Sequence, residues 1–238
     1  MVRVLVTRPE PGAARTMRRL RDMGFQPILL PLTDTVALPV EAGEIARDVA
    51  AVAVTSANAV RHAPEELIAM LAALPCHAVG NRTAEAARKA GFLSVSEGPG
   101  DTAALADAIV AGYSAGTIVY LTGRVRFPAF EERLTAAGVE VRAIETYDTL
   151  ALDYSDTDLL GRLSRQPVEA VLLYSAKAAA VTQAVTRRPA LRDLFEKTVF
   201  FALSGRIAAT LENIVGARIR IAPEPHEEAL LELLRAWR

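Results

Sequence analysis

Short apolar runs alternate with longer stretches of helical period along almost the whole chain. The runs Val2–Thr7, Pro27–Leu32, Ala51–Thr55, His77–Val79, Leu93–Ser96, Thr117–Thr122, Glu140–Ile144, Ala170–Tyr174, Val199–Leu203 and Arg218–Ala222 are rich in Val, Ile and Leu. Most are apolar at consecutive positions, which predicts parallel strands covered by helices on both faces. Between Pro11 and Met23 the apolar Ala14, Met17 and Leu20 share one helical face, with Arg15, Arg18, Arg19 and Arg21 largely elsewhere. Gly24, Gly91, Gly138 and Gly216 each stand where a helix gives way to a strand, the place of a left-handed cap. Strand and helix in alternation predict a doubly wound α/β sheet with right-handed crossovers.

The pattern is written twice. Leu5-Val6-Thr7-Arg8, Gly24 and Thr33-Asp34-Thr35 are echoed by Tyr120-Leu121-Thr122-Gly123-Arg124, Gly138 and Tyr147-Asp148-Thr149. Val54-Thr55-Ser56-Ala57-Asn58-Ala59-Val60 pairs with Leu173-Tyr174-Ser175-Ala176-Lys177-Ala178-Ala179. Ala78-Val79-Gly80-Asn81-Arg82-Thr83-Ala84 pairs with Ala202-Leu203-Ser204-Gly205-Arg206-Ile207-Ala208. A duplication predicts two similar domains with a cleft between them. Two partitions fit. One gives each repeat its own lobe, split near Ser114-Ala115-Gly116. The other is crossed, with the first strands of each repeat joining the later strands of the other. In that case Thr33–Pro39 and Thr146–Asp153, which run past their strands with few helix formers, are paired connectors.

Length and composition narrow the class. A chain of 238 residues holds one large domain or two small ones, and 51% hydrophobic with 23% charged residues marks a folded protein. A formal net charge of −1 provides no global attraction to nucleic acid or membrane, so any anion must be bound by local charge. No run is long enough to span a bilayer, and no secretory signal precedes the first strand. With a single cysteine, Cys76, read as a buried structural thiol, these features predict a cytoplasmic protein.

Ligands of open parallel sheets bind beyond the carboxyl ends of the strands. At those ends the sequence places Arg8 after Thr7, Arg82 after Gly80-Asn81, and Arg124 after Thr122-Gly123 with Arg126 nearby. It also places Lys177 after Ser175, Arg206 after Ser204-Gly205, and Asn58 and Arg61 after Thr55-Ser56. Hydroxyls and cations where helices begin, with free backbone N–H groups, predict a ligand carrying several carboxylates or phosphates. The same residues also serve as N-caps and solvated arginines. His62, His77 and His226 have no metal or triad spacing and read as surface or helix residues, and no dinucleotide or Walker fingerprint is present. Gly98-Pro99-Gly100 reads as a turn, and the acidic pairs Glu65-Glu66, Glu131-Glu132 and Glu227-Glu228 read as solvated helix faces.

Leu5-Val6-Thr7-Arg8-Pro9, the stretch Gly24 to Pro31, Thr55-Ser56-Ala57-Asn58-Ala59-Val60, Ala78 to Ala84, Tyr147-Asp148-Thr149, Ser175 and Ala202-Leu203-Ser204 together resemble the uroporphyrinogen-III synthase family in order and spacing. The resemblance covers nearly the whole chain. It implies two similar doubly wound α/β domains in the crossed arrangement: residues 1–35 with 152–238, residues 38–147, and a two-stranded connector over 33–39 and 146–153. It implies a lyase that dehydrates and cyclises hydroxymethylbilane, a linear tetrapyrrole with eight carboxylates, to uroporphyrinogen III. The terminal pyrrole is inverted through a spiro intermediate, with neither metal nor organic cofactor. It implies Tyr147 as the proton donor, and Arg8, Thr55, Ser56, Asn58, Thr83, Ser175, Lys177, Ser204 and Arg206 as substrate contacts. Ile207 departs from the family, many members of which place threonine there. Hydroxymethylbilane synthase is the expected source of substrate, the chain is expected to be a monomer, and no nucleic acid or membrane is involved.

The competing readings are a non-catalytic two-domain binding protein for a polyanion and a nucleotide-dependent glycosyl- or phosphotransferase. The first is motivated by the lack of an obligatory catalytic residue. The second predicts stabilisation by a nucleotide.

Overall fold

The computed structural model describes residues 1–40, 48–113, 116–126, 128–211 and 218–238. Its chain divides into two compact units, Met1–Asp34 with Leu150–Arg238, and Thr35–Thr149. The alternative split near Ser114-Ala115-Gly116 is not the one adopted, since Gly116 lies inside the second unit; Ser114 and Ala115 fall outside the described residues.

The first unit holds a five-stranded sheet. Strands β1 (Arg3–Val6) and β2 (Gln26–Leu29) come from the first repeat; β9 (Ala170–Leu173), β10 (Val199–Ala202) and β11 (Ile219–Ile221) come from the second. Their order is β11-β10-β9-β1-β2 and every one of these pairings is parallel. The second sheet has the order β3-β8-β7-β4-β5-β6, where β3 is Thr33–Ala37, β4 Val49–Val54, β5 Pro75–Ala78, β6 Ser94–Glu97, β7 Thr117–Gly123 and β8 Glu140–Ala151. Each sheet thus takes two strands from one repeat and three from the other. The second adds β3, which runs antiparallel to β8: Leu38 N–H bonds Thr146 O at 2.9 Å and Leu152 N–H bonds Leu32 O at 3.0 Å. The chain passes from one unit to the other within this strand pair, at Asp34–Thr35 and Thr149–Leu150.

Both faces of each sheet are covered, as continuous apolarity requires. In the first sheet Val4, Val6, Leu172 and Phe201 pack on α1 (Gly12–Asp22) and α10 (Glu227–Trp237). The alternate residues Leu5, Val171, Leu173 and Phe200 pack on α7 (Asp156–Arg162), α8 (Ala176–Thr186) and α9 (Gly205–Ala208). In the second sheet Val52, Val54, Val119 and Leu121 face α2 (Ala57–Arg61), α3 (Glu65–Leu71) and α4 (Asn81–Ala90). There Ala51, Ala53, Ile118 and Tyr120 face α5 (Thr102–Gly112) and α6 (Ala129–Ala136).

Helix α1 corrects one detail of the pattern. Its buried stripe is Ala13, Thr16, Met17 and Leu20, while Ala14 is exposed. The stripe begins one residue earlier because Gly12 and Ala13, not Ala14, meet the sheet. Gly24, Gly91 and Gly138 have φ of +78°, +116° and +79°, the left-handed caps expected; Gly216 lies outside the described residues. Arg3 ties the two chain segments of the first unit together. Its buried guanidinium donates to the carbonyls of Leu163, Gln166 and Pro167 at 2.6–2.7 Å.

Candidate functional site

In the second sheet β4 and β7 end side by side, with Val54 in register with Leu121. Beyond β4, Ser56 caps α2: extended φ and ψ of −145° and 131° let its Oγ accept from Asn58 N–H at 3.2 Å. The phenol of Tyr147, on β8, donates to the same Oγ at 3.2 Å. Tyr147 reaches it through a β-bulge. Thr122 pairs with Glu145 but Gly123 pairs with Tyr147, so Thr146 is an extra residue that re-aims its neighbour. The Thr146 hydroxyl, fully buried, donates to Ala59 O at 2.6 Å and so ties the bulge to α2. The ring of Tyr147 then crosses Gly123, where an added Cβ would lie 2.6 Å from Cζ. The His62 ring also lies near, 6.0 Å away between ring centroids.

Burial raises the Tyr147 pKa; the Ser56 hydrogen bond opposes this and Tyr120 adds to it. Tyr147 is therefore a protonated donor at neutral pH. Beside it Thr55 and the buried Tyr120 share a hydrogen bond of 2.7 Å. Thr83 lies in the first turn of α4, largely buried, with its backbone N–H on Gly80 O at 3.0 Å.

The equivalent strand ends of the first unit carry charge. After β1, Arg8 forms an ion pair with Glu227 at 3.1 Å and stacks its guanidinium 4.2 Å from the Tyr174 ring centroid. It is pressed against Gly12, where any Cβ would collide with the guanidinium. Glu227 is only 2% exposed. It accepts from Thr16 Oγ1 and from Tyr174 OH, the latter at 3.2 Å, and has Arg19 at 3.5 Å and Arg15 at 3.7 Å. Burial and then the Glu227 charge drive the Tyr174 pKa upwards. Ser175 repeats the role of Ser56, its Oγ accepting from Ala178 N–H at 3.1 Å. Lys177 stands in the first turn of α8, and Ser204 and exposed Arg206 stand at the start of α9. Ile207, the counterpart of Thr83, is buried in the apolar core instead.

The structure brings Tyr147, Ser56 and Asn58 together in one unit and Arg8, Tyr174 and Ser175 at neighbouring strand ends in the other. It also redistributes several cations. Arg124 and Arg126 are paired with Glu145 at 3.3 and 2.8 Å, and Arg126 also with Glu131 at 2.9 Å. These hydrogen bonds, Arg126 foremost, hold the Glu145 carboxyl below its ordinary pKa. Arg61 donates to Asn58 Oδ1 at 3.2 Å, which engages the amide oxygen of that predicted contact.

Three expectations are corrected. Glu227 is no solvated face residue but a buried hub, and Glu131 is half-buried on Arg126. His77 is a strand residue held between Tyr113 OH at 2.7 Å and Ser96 Oγ at 2.8 Å, with burial lowering its pKa. His226 keeps its expected place: it is exposed and caps α10, accepting from Ala229 N–H at 3.1 Å. Glu227 was detectable, because with Leu230, Leu231 and Leu234 it falls on the apolar stripe of α10. The bulge at Thr146 had no sequence signal. Cys76 is buried as expected, and burial raises its thiol pKa to about 12.

Among the described residues no group of His, Cys, Asp and Glu is arranged to hold a metal ion, and no helix is long and apolar enough to cross a membrane. Among the described residues, two cavities are lined by neither Tyr147 nor Arg8, the larger having Arg61 in its wall. One of about 670 Å³ lies among α2, α3 and α4, and one of about 380 Å³ is lined by Gln183, Arg192 and Arg218.

A family model described as Uroporphyrinogen-III synthase HemD matches residues 14–232. No curated protein matches the chain. Among solved structures, a uroporphyrinogen-III synthetase from Helicobacter pylori 26695 is 18% identical, with all of both chains covered and a TM-score of 0.67. A mutant uroporphyrinogen III synthase from the extremely thermophilic bacterium Thermus thermophilus is 20% identical, with all of this chain and 97% of that one covered and a TM-score of 0.58. Likeness at this level of identity shows the α/β fold.

Proposed function

The chain belongs to the uroporphyrinogen-III synthase family, and from that premise we propose how its own residues carry the reaction. The enzyme is a lyase of tetrapyrrole biosynthesis. It removes the terminal hydroxyl of hydroxymethylbilane as water and closes the macrocycle with the last pyrrole inverted.

Tyr147 donates its phenolic proton to the departing hydroxyl as the C–O bond breaks. The lone pair of the adjacent pyrrole nitrogen supplies the electrons and spreads the positive charge left on the methylene carbon. The substituted carbon of the terminal ring attacks that methylene to form the spiro centre. The spiro centre opens by breaking its original bond to the methylene of the third ring, whose pyrrole nitrogen stabilises the cation left there, and attack on that methylene by the unsubstituted carbon of the last ring completes the inversion. The proton lost from that carbon restores the Tyr147 phenol, so the net change is loss of one water. The observation that carries this reading is a half-buried phenol held protonated against Ser56 and seated on Gly123.

Most of the barrier reduction is positional, since an electron-rich pyrrole expels its own leaving group and the open chain closes unaided to the uninverted isomer. Thr55, Ser56, Asn58, Thr83, Arg8, Ser175, Lys177, Ser204 and Arg206 are the substrate contacts in this reading, holding carboxylate arms through side chains and helix-start N–H groups. The substrate passes directly from hydroxymethylbilane synthase, which limits spontaneous closure. The enzyme works as a monomer in the cytoplasm; its exposed large apolar residues, such as Met70, Leu93 and Val125, are scattered along the chain.

The test supplies freshly made hydroxymethylbilane, oxidises the products and separates the porphyrin isomers. Type III in excess is expected. Type I alone, at the spontaneous rate, contradicts the reading.

A further inference from the structure

Three arginines converge on one buried carboxylate. Arg8, Arg15 and Arg19 have nitrogens 3.1, 3.7 and 3.5 Å from the Glu227 oxygens, and their side chains are 19%, 52% and 34% exposed against 2% for Glu227. A carboxylate this deep needs such partners to offset its lost hydration, and here it also accepts from Thr16 and Tyr174 and lies in the first turn of α10. Glu228 offsets one further charge through Arg19 at 2.9 Å. Among these five side chains, three guanidinium groups face two carboxylates.

Arg8 is the member best fixed in place. Its Nη1 is bound to Glu227, its face lies on the Tyr174 ring, and Gly12 leaves the space its guanidinium fills. Among the described residues, that single hydrogen bond to Glu227 is the only one its five N–H donors make within the chain. A rigid guanidinium with unused donors at a ligand-binding strand end suits the planar fork of a carboxylate.

We propose that Glu227 is a positioning residue for the reaction, acting through Arg8, and that the Arg8–Tyr174–Glu227 cluster is a preorganised receptor for one carboxylate arm of the substrate. This rests on the synthase reading. Glu227 touches no substrate. It sets the angle and reach of Arg8, and Tyr174 supplies both the stacking face and a hydrogen bond that holds the Glu227 oxygen.

The experiment is a double-mutant cycle on Glu227→Gln and Arg8→Gln, with kcat and KM measured from type III formation. Glu227→Gln is expected to raise KM about tenfold with kcat within about twofold of the parent, and Arg8→Gln to raise KM at least as much. The double variant is expected to match Arg8→Gln alone. A full Glu227→Gln effect persisting in the Arg8→Gln background overturns the inference, because the glutamate then acts by another route. So does an unchanged KM in a Glu227→Gln protein whose melting temperature has fallen, which is a purely structural role. An unchanged KM in Arg8→Gln overturns it at a different point, the assignment of Arg8 to substrate. Loss of type III product from the unmodified enzyme would be failure of the synthase reading itself. Should Glu227→Gln not fold, Tyr174→Leu carries the same cycle, since it removes the ring under the guanidinium and leaves the ion pair.

Discussion

The two strand-end clusters occupy equivalent places in the duplicated fold and differ in electrostatics, one neutral and one ion-paired. Ser56 and Ser175 cap their helices with nearly the same backbone, φ −145° and ψ 131° against φ −149° and ψ 153°. Around Ser56 the partners are neutral hydroxyls: Tyr147 on Ser56, and Tyr120 on Thr55. Around Ser175 the neighbouring Tyr174 is wired to Glu227 and lies under Arg8. The same scaffold thus carries neutral hydroxyls in one unit and an ion-paired cluster in the other. Position in an α/β sheet determines where a ligand is met; the side chains that converge there decide whether it is held or transformed.

Substitutions that break each cluster separately sharpen this contrast. The largest effect is expected from Tyr147→Phe, which keeps the ring but removes the donor. Turnover should fall about 10²-fold, in line with the loss of general acid catalysis, while binding of the macrocyclic product in calorimetry stays near the parent value. Gly123→Ala should follow. Its Cβ meets the Tyr147 ring, and displacing the phenol by a fraction of an ångström should lower turnover about tenfold, with KM little changed. Thr146→Val keeps the shape of the bulge residue and strands the Ala59 carbonyl. Chemical denaturation should register a loss of about 1–2 kcal/mol, and Thr146→Ser should recover most of it.

The smallest effect concerns acid. Burial lowers the His77 pKa below its ordinary 6.5, so folding favours the neutral ring. The stability this contributes is present above 6.5 and is lost as pH falls through the lower folded value. A urea midpoint that declines less steeply with falling pH in His77→Gln than in the parent is the expected result; parallel declines would remove His77 from the acid response.

The fold was legible because its signals are periodic. Short apolar runs, most of them continuous, marked all ten expected strands, and Gly24, Gly91 and Gly138 marked helix ends that need positive φ. β3 and the long tail of β8 appeared only as segments poor in helix formers, since their pairing is set by contacts distant in sequence. The site was legible only in part. Ser56 and Ser175 stood out as N-caps by residue type and place. The aim of Tyr147 did not, because a bulge depends on register with β7 and leaves no mark in composition. Glu227 was misread because an acidic pair at a helix start usually faces water. The stripe formed with Leu230, Leu231 and Leu234 outweighs that habit here, because Arg8, Arg15 and Arg19 compensate the charge.

The most direct test is a single turnover of Tyr147→Phe with enzyme in excess, so that the bilane is bound before it can close in solution. If holding the chain in shape inverts the ring and Tyr147 only moves a proton, the product is still type III but forms slowly. Type I product from the bound substrate, or type III at the parent rate, would contradict that account.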